Sequence, residues 1–156
     1  MGLGHNSSSY CVMGSTNNND RVYCNMLQAV EIGRNAKLIG NYAFQNCYSL
    51  SSIVIPDSVT SIGNYAFQNC HSLSSIVIPD SVTSIGNYAF QNCYGMAFYD
   101  FSQCISVPTL GGTTVFNSIP SDCKIVVPDN LYDTWKAATN WSTHASNMVK
   151  ASQFNS

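Results

Sequence analysis

The chain has 156 residues, of which 45% are apolar and only 9% are charged, and its net charge is −2. A nucleic-acid-binding protein that neutralises phosphates and an acidic or coiled-coil chain are excluded, because each needs far more charge than this sequence carries. Polarity comes instead from 22 Ser and 17 Asn, a quarter of the chain, which is typical of a repetitive sequence.

Residues 1–25 are polar and form the first predicted unit, an N-terminal leader or cap. Two alternatives are predicted for them: a hairpin that pairs residues 10–12 with residues 21–23, or a flexible leader. Residues 1–9 have neither the basic segment nor the apolar segment of a signal peptide, which makes a cytoplasmic location the alternative to export. The sequence also lacks an apolar run long enough to cross a bilayer, so no membrane insertion is predicted.

A 23-residue repeat follows. Residues 39–61 and 62–84 are identical at 22 of 23 positions, and the one difference is His71 in place of Tyr48. A third copy begins at residue 85 and then diverges. A degenerate copy precedes in the same phase, and another follows after a longer interval. One apolar triplet per copy predicts five rungs, at residues 30–32, 53–55, 76–78, 99–101 and 125–127. The last interval between triplets is longer than the others, which predicts a small insertion around residues 109–114.

Each copy contains two short extended segments and a turn. Ile53 and Ile55 face the same way along a first strand, and Val59 and Ile62 form a second inward pair on the opposite side. Residues 42–47 are predicted as a tight turn of α or 3₁₀ helix that buries three side chains, namely Ala43, Phe44 and Cys47. Stacked at about 4.8 Å per rung, such copies bury a continuous core, which predicts a solenoid over residues 26–127.

The cysteine pattern favours a structural role over a catalytic or metal-binding one. Their number, seven, is odd, which argues against a complete disulfide framework. Four of them (Cys24, Cys47, Cys70 and Cys93) recur at the period of the repeat, which favours one buried position filled by a small apolar side chain. The sequence has no C-x-x-C pair, so no metal or other cofactor is predicted. Cys70 and His71 are neighbours on a turn whose side chains diverge, so no catalytic residue is predicted either.

Residues 128–156 are predicted as a helical C-terminal cap that begins at a Pro-Asp-Asn start signal. Apolar residues share one face of a first helix: Leu131, Trp135 and Ala138. The spacing of a second set predicts another short helix: Trp141, Ala145 and Met148. Both tryptophans of the chain lie here and are expected to seal the open end of the solenoid.

The motif I-G-x-x-A-F-x-x-C-x-x-L-x-x-I-x-I-P-x-x-V is complete in residues 39–59 and 62–82 and partial in residues 85–93. It resembles the BspA-like, or Treponema pallidum type, leucine-rich repeat over about residues 26–129. The resemblance implies an α/β repeat fold, a leucine-rich-repeat solenoid of about five 23-residue rungs with short strands, short helical or 3₁₀ turns and a helical cap. It also implies a bacterial or protist surface protein that binds host matrix proteins or other cells and is not an enzyme.

The sequence V-P-D-x-L-Y-D-x-W-K-A-A-T-N-W at residues 127–141 is similar to the ends of repeat proteins from gut bacteria and their phages. This second resemblance implies an adhesin on a cell surface, in the extracellular space or on a virion.

Two sets of outward-facing side chains are candidate ligand-binding residues. The first lies on the main strands and is expected to continue to Val126; it comprises Glu31, Ser52, Val54, Ser75, Val77, Phe98 and Asp100. The second follows the repeated cysteine and comprises Tyr48, His71 and Tyr94. Exposed valines in register and aromatic rows are typical of recognition surfaces, whereas a solvent-facing strand and a tolerant turn position are the alternatives.

The predicted function is a non-enzymatic module that binds a protein or glycan ligand through the solenoid surface, in cell-surface or host interaction. The alternative is a structural spacer or a virion tail or fibre component without its own ligand site. A third hypothesis, a hydrolase with an unrecognised Cys or His arrangement, has no motif behind it. We expect a monomer, with end-to-end association as an alternative.

Overall fold

Ten short strands, all paired in parallel, build the computed structural model, which describes residues 26–154. In chain order they are β1 (Ala29–Glu31), β2 (Leu38–Ile39), β3 (Ser52–Val54), β4 (Ser61–Ile62), β5 (Ser75–Val77), β6 (Ser84–Ile85), β7 (Phe98–Asp100), β8 (Thr109–Leu110), β9 (Lys124–Val127) and β10 (Met148–Lys150). The helices are α1 (Tyr132–Ala137) and α2 (Ala151–Phe154), with 3₁₀ turns at Asp129–Leu131 and Ser142–Asn147.

The strands line two sides of a solenoid. On one side β1 pairs with β3, and β5, β7, β9 and β10 form a second ladder; β3 and β5 lie in contact without ladder hydrogen bonds. On the other side β2, β4, β6 and β8 form one sheet. Equivalent residues of successive copies lie opposite each other, as Ile53 lies opposite Val30. The predicted stacking of 23-residue rungs is therefore confirmed.

The third side of each rung is a run of turns rather than a helix. Tyr42 and Asn46 have positive φ angles of 61° and 64°. These left-handed residues interrupt the helical geometry and aim alternate N–H groups at the next rung. Three backbone N–H groups donate across the rungs at 2.9, 2.7 and 2.8 Å: Tyr42 to Asn64 O, Phe44 to Ala66 O and Asn46 to Gln68 O. The turn thus acts as a third inter-rung ladder.

Columns of identical apolar side chains fill the interior. Phenylalanine rings stack at centroid distances of 5.2, 5.2 and 5.7 Å along Phe44, Phe67, Phe90 and Phe116. Five cysteines of the described chain are buried and form no disulfide: Cys47, Cys70, Cys93, Cys104 and Cys123. The predicted role of the repeated cysteine as a buried apolar residue is confirmed at the three copies that the structure describes. Cys24 lies outside the described residues, as do the whole 1–25 segment and its proposed hairpin.

The insertion is divided between two places. Ile85 lies opposite Ile62 at the normal repeat period, whereas Leu110 lies opposite Ile85 at a separation that exceeds the period by two. Phe116 then stacks on Phe90 at a separation that exceeds the period by three. Two of the three extra residues therefore precede Leu110 and one follows it, so the predicted position, 109–114, is only partly right.

The C-terminal segment closes the stack with a strand as well as helices. Trp135 and Trp141 are buried, and Trp141 Nε1 donates to Pro108 O at 2.7 Å. The predicted second helix is wrong at Met148, because the chain leaves the 3₁₀ turn there and pairs with β9 as β10. An unpaired edge of β9 would leave backbone groups without partners, and β10 satisfies them.

Candidate functional site

An exposed apolar pair lies at the centre of the main strand surface. We call the outward positions of β1, β3, β5 and β7 the strand face. Val54 is 72% exposed and Val77 is 47% exposed, which is unusual for valines in adjacent rungs. Glu31 lies opposite Val54 and Asp100 lies opposite Val77, so carboxylates flank the pair as predicted. Four rungs at about 4.8 Å put the two carboxylates roughly 14 Å apart.

The other predicted members of the strand face also point outward. Ser52 and Glu31 are exposed, and Ser75 and Asp100 are half-buried. Asp100 Oδ1 accepts a hydrogen bond from Ser102 N at 2.8 Å, so this carboxylate also fixes the bend that follows β7.

The face is shorter than predicted. Val126 is only 1% exposed, so its expected place in the outward exposed row is wrong. The cause is α2, which returns over β9 and β10 at the end of the chain. Phe154 of this helix packs against Phe98 with ring centroids 4.9 Å apart, so Phe98 is half-buried rather than open.

An aromatic row runs beside the strand face. We call Tyr48, His71 and Tyr94 the outer aromatic ladder. Successive ring centroids are 5.0 Å apart with interplanar angles of 40° and 35°. Tyr48 is 40% exposed and Tyr94 is 56% exposed. Tyr48 lies four positions before Ser52, so the backbone of the ladder is at most about 14 Å from that of the strand face. A separate tyrosine column, Tyr42, Tyr65 and Tyr88, stacks with ring centroids 5.0 and 4.9 Å apart.

Two amide ladders on the turn side were missed by the sequence analysis. Gln45 Nε2 donates to Gln68 Oε1 at 2.5 Å, and Gln68 Nε2 donates to Gln91 Oε1. The second ladder consists of asparagines, and its hydrogen bonds point in the opposite direction along the chain. Asn69 Nδ2 donates to Asn46 Oδ1 at 2.7 Å. Identical amides that recur at the period of the repeat were the signal that could have revealed them.

The arrangement around Cys70 and His71 does not support nucleophilic chemistry. Cys70 Sγ donates to Phe44 O at 3.2 Å inside the core, whereas the His71 ring lies in the outer aromatic ladder. The two side chains therefore diverge, as the sequence predicts. Burial raises the pKa of the equivalent Cys93 thiol to about 12, which keeps it protonated at neutral pH.

Residues 26–154 contain no cluster of three or more His, Cys, Asp or Glu side chains that could hold a metal ion. The helices in this part of the chain are too short to cross a membrane.

Known proteins share this repeat. A model of the BspA type leucine rich repeat region matches residues 18–136 in six copies, one more than the five rungs predicted from the sequence. No curated protein matches the chain.

Solved structures of several proteins are similar, and this chain spans less than half of each of the three described here. The T. pallidum leucine rich repeat protein is 28% identical, with a TM-score of 0.56 over 67% of this chain and 47% of its own. A leucine-rich repeat protein from Eubacterium ventriosum is 27% identical, with a TM-score of 0.53 over 65% of this chain and 26% of its own. One from Bacteroides ovatus is 29% identical, with a TM-score of 0.47 over 69% and 23%.

The family match covers about three quarters of the chain, and it coincides with the stacked rungs that the structure shows. The chain therefore belongs to the BspA-type leucine-rich repeat family.

Proposed function

We propose that this chain is a non-enzymatic protein-binding module whose recognition surface is the strand face. One observation carries the proposal: Val54 and Val77, in adjacent rungs and 72% and 47% exposed, form an apolar centre between Glu31 and Asp100. An apolar centre with a charged rim is the usual anatomy of a protein interface. Membership of a repeat family of interaction modules supports the same interpretation at a coarser level.

A protein ligand fits these surfaces better than a glycan does. A sugar ring stacks its apolar side on an open aromatic face. Ring faces in the outer aromatic ladder are turned toward their neighbours 5.0 Å away, and the Phe98 ring is packed on Phe154. On the strand face the aliphatic Val54 and Val77 and the acidic Glu31 reach solvent, and a protein partner can match both kinds of side chain.

A binding assay with matched variants tests the proposal. The protein is applied to an array of purified extracellular-matrix proteins and glycans. Val54→Asp/Val77→Asp is expected to weaken binding to a protein on the array at least tenfold. Leu38→Asp/Ile105→Asp is the control, because it adds two carboxylates at exposed apolar positions outside the strand face and should leave binding unchanged.

Three outcomes would contradict the proposal, and each favours a different alternative. Binding that survives the valine substitutions but is lost in Tyr48→Ala/His71→Ala would move the site to the outer aromatic ladder. Binding to glycans alone would refute the protein ligand. An array that captures nothing would favour the structural spacer or virion component.

We also propose a monomer at a cell surface or on a virion, with a cytoplasmic location as the alternative. Family membership is what supports the surface role. Sedimentation of the purified chain tests the oligomeric state, and fractionation of the source cells tests the location.

A further inference from the structure

The far end of the strand face is covered by a piece of the same chain. We call α2 (Ala151–Phe154) the C-terminal strap. Its Phe154 ring meets the Phe98 ring at 4.9 Å and an angle of 56°. Val126 is 1% exposed, although the equivalent Val54 and Val77 are open to solvent. The strap therefore shows what kind of side chain this end of the face accepts, namely an aromatic ring.

A carboxylate forms the second half of this contact. Asp129 Oδ1 accepts a hydrogen bond from Ser152 N at 3.0 Å, and Asp129 Oδ2 accepts another from Ser152 Oγ. These bonds lower the pKa of Asp129 and keep it charged, which strengthens them. In the same way, Asp80 Oδ1 accepts a hydrogen bond from Ile105 N at 2.8 Å. In both places the carboxylate that follows the strand-ending proline accepts a hydrogen bond from an N–H group later in the chain.

The strap is short and partly exposed to solvent. It is a single helical turn, and a helix of that length has no stability of its own. Ser152 and Gln153 are exposed, while Ala151 and Phe154 are half-buried. Short elements with much solvent-exposed surface open at a lower free energy than the core of a protein does. Release of the strap therefore costs little compared with global unfolding.

We propose that Phe98 and Asp129 form a peptide-binding seat for a protein segment that carries Ser or Thr two positions before an aromatic residue in one helical turn. The strap fills this seat within the chain, and a partner segment with the same pattern displaces it. The aromatic ring packs on Phe98 beside Val126, and the hydroxyl and N–H groups donate to the Asp129 carboxylate. The seat shares Phe98 with the strand face but uses neither Val54 nor Val77, so the valine substitutions that test the proposed function leave it intact.

The test opens the seat in the 156-residue chain and adds the strap sequence as a separate peptide. The double variant Ser152→Ala/Phe154→Ala removes both anchors of the strap but keeps β10. The probe is the heptapeptide Lys-Ala-Ser-Gln-Phe-Asn-Ser, which copies residues 150–156. Amide NMR spectra of the protein are recorded as the peptide is added. Saturable shifts are expected at Phe98 and Asp129, with affinity at least tenfold higher for the double variant than for the unsubstituted chain.

Two controls distinguish specific binding at this seat from nonspecific peptide binding. Peptides in which Ala replaces Phe or Ser should bind at least tenfold more weakly, and Asp129→Asn added to the double variant should weaken the original peptide similarly. Equal binding of the altered peptides would refute the seat, as would equal affinity for the closed and opened proteins. Loss of dispersed amide signals in the double variant would also overturn the proposal, because the strap would then be a structural element.

Discussion

At the scale of single residues, a close steric constraint lies at Gly63, the glycine of an Ile-Gly-Asn corner. A Cβ added to Gly63 would lie 2.6 Å from Asn41 N and 2.7 Å from Asn41 Oδ1. That same Oδ1 accepts a hydrogen bond from Asn64 N at 2.8 Å, so it cannot move away without breaking an inter-rung contact. The absence of a Cβ at Gly63 therefore permits the close approach of two rungs.

The first prediction follows from this crowding. Gly63→Ala should lower the free energy of unfolding by about 1–3 kcal/mol, because backbone atoms of the preceding rung must shift to admit the methyl group. Urea unfolding followed by circular dichroism measures the change. Gly33→Ala is the control, since its Cβ would meet nothing within 4 Å, and it should be neutral or slightly stabilising. Equal losses in both variants would contradict the steric argument.

The second residue-scale prediction concerns His144 in the cap. Its ring packs edge-on against Phe116 at 5.3 Å, and burial lowers its pKa below the ordinary value of 6.5. A histidine with a lowered pKa in the folded state stabilises the protein above the unfolded-state pKa, and this contribution is lost as the pH falls below about 6.5. The free energy of unfolding, measured in urea, should therefore fall between pH 7.5 and pH 5.5 in the unsubstituted chain. It should fall less in His144→Phe. Identical pH dependence in the two proteins would refute the assignment.

At the scale of elements, the turn side of each rung depends on residues in the left-handed region. Asn46, Asn69 and Asn92 have φ angles of 64°, 63° and 60°, and their side chains form one amide ladder. Asparagine suits both needs, because it tolerates this backbone conformation and its amide donates and accepts at once. The helical turn predicted for this segment lacks both features.

The third prediction separates these two roles at Asn69. Asn69→Gly keeps the backbone conformation but removes two ladder hydrogen bonds, which should cost roughly 1–3 kcal/mol. Asn69→Ala loses the same bonds and adds backbone strain, so it should be less stable than Asn69→Gly by about 1 kcal/mol. Thermal and urea unfolding measure both. Ser121 is exposed and has no positive φ, so Ser121→Ala should be more stable than Ser121→Gly, the reverse of the order at Asn69. The same order at both positions would show that backbone strain is not the cause.

Sequence patterns predict the rungs well because two near-identical copies reveal the period, and the inward residues of each strand follow from alternation. Val54 and Val77 were placed correctly on the outside for this reason. Val126 was not, since its burial depends on the strap, which returns from the far end of the cap. Met148 was misplaced for a related reason: an apolar residue at helical spacing became a strand because the edge of β9 required a partner.

At the scale of the whole molecule, stability comes from stacking, because each rung contacts mainly its neighbours. The last rung has no following copy, so the cap must satisfy its apolar and backbone groups. Asn140 Nδ2 donates to Leu110 O at 3.1 Å and Trp141 Nε1 donates to Pro108 O at 2.7 Å, so the cap reaches carbonyls at the exposed edge of β8. Trp135 and Trp141 also pack on Phe101 at 5.4 and 5.2 Å, which joins the cap to the core.

The two tryptophans offer a matched test of how much the cap hydrogen bond contributes. Both rings are buried, but Trp135 Nε1 has no hydrogen-bond partner among residues 26–154. Trp135→Phe and Trp141→Phe lose the same ring volume, whereas only Trp141→Phe leaves the buried Pro108 carbonyl without its donor. Trp141→Phe should therefore be less stable than Trp135→Phe by about 1–3 kcal/mol in urea unfolding. Amide exchange in β8 should also speed up in Trp141→Phe alone, because the loss falls on the edge that the cap covers. Equal destabilisation by the two substitutions would mean that the cap is held by packing and not by this hydrogen bond.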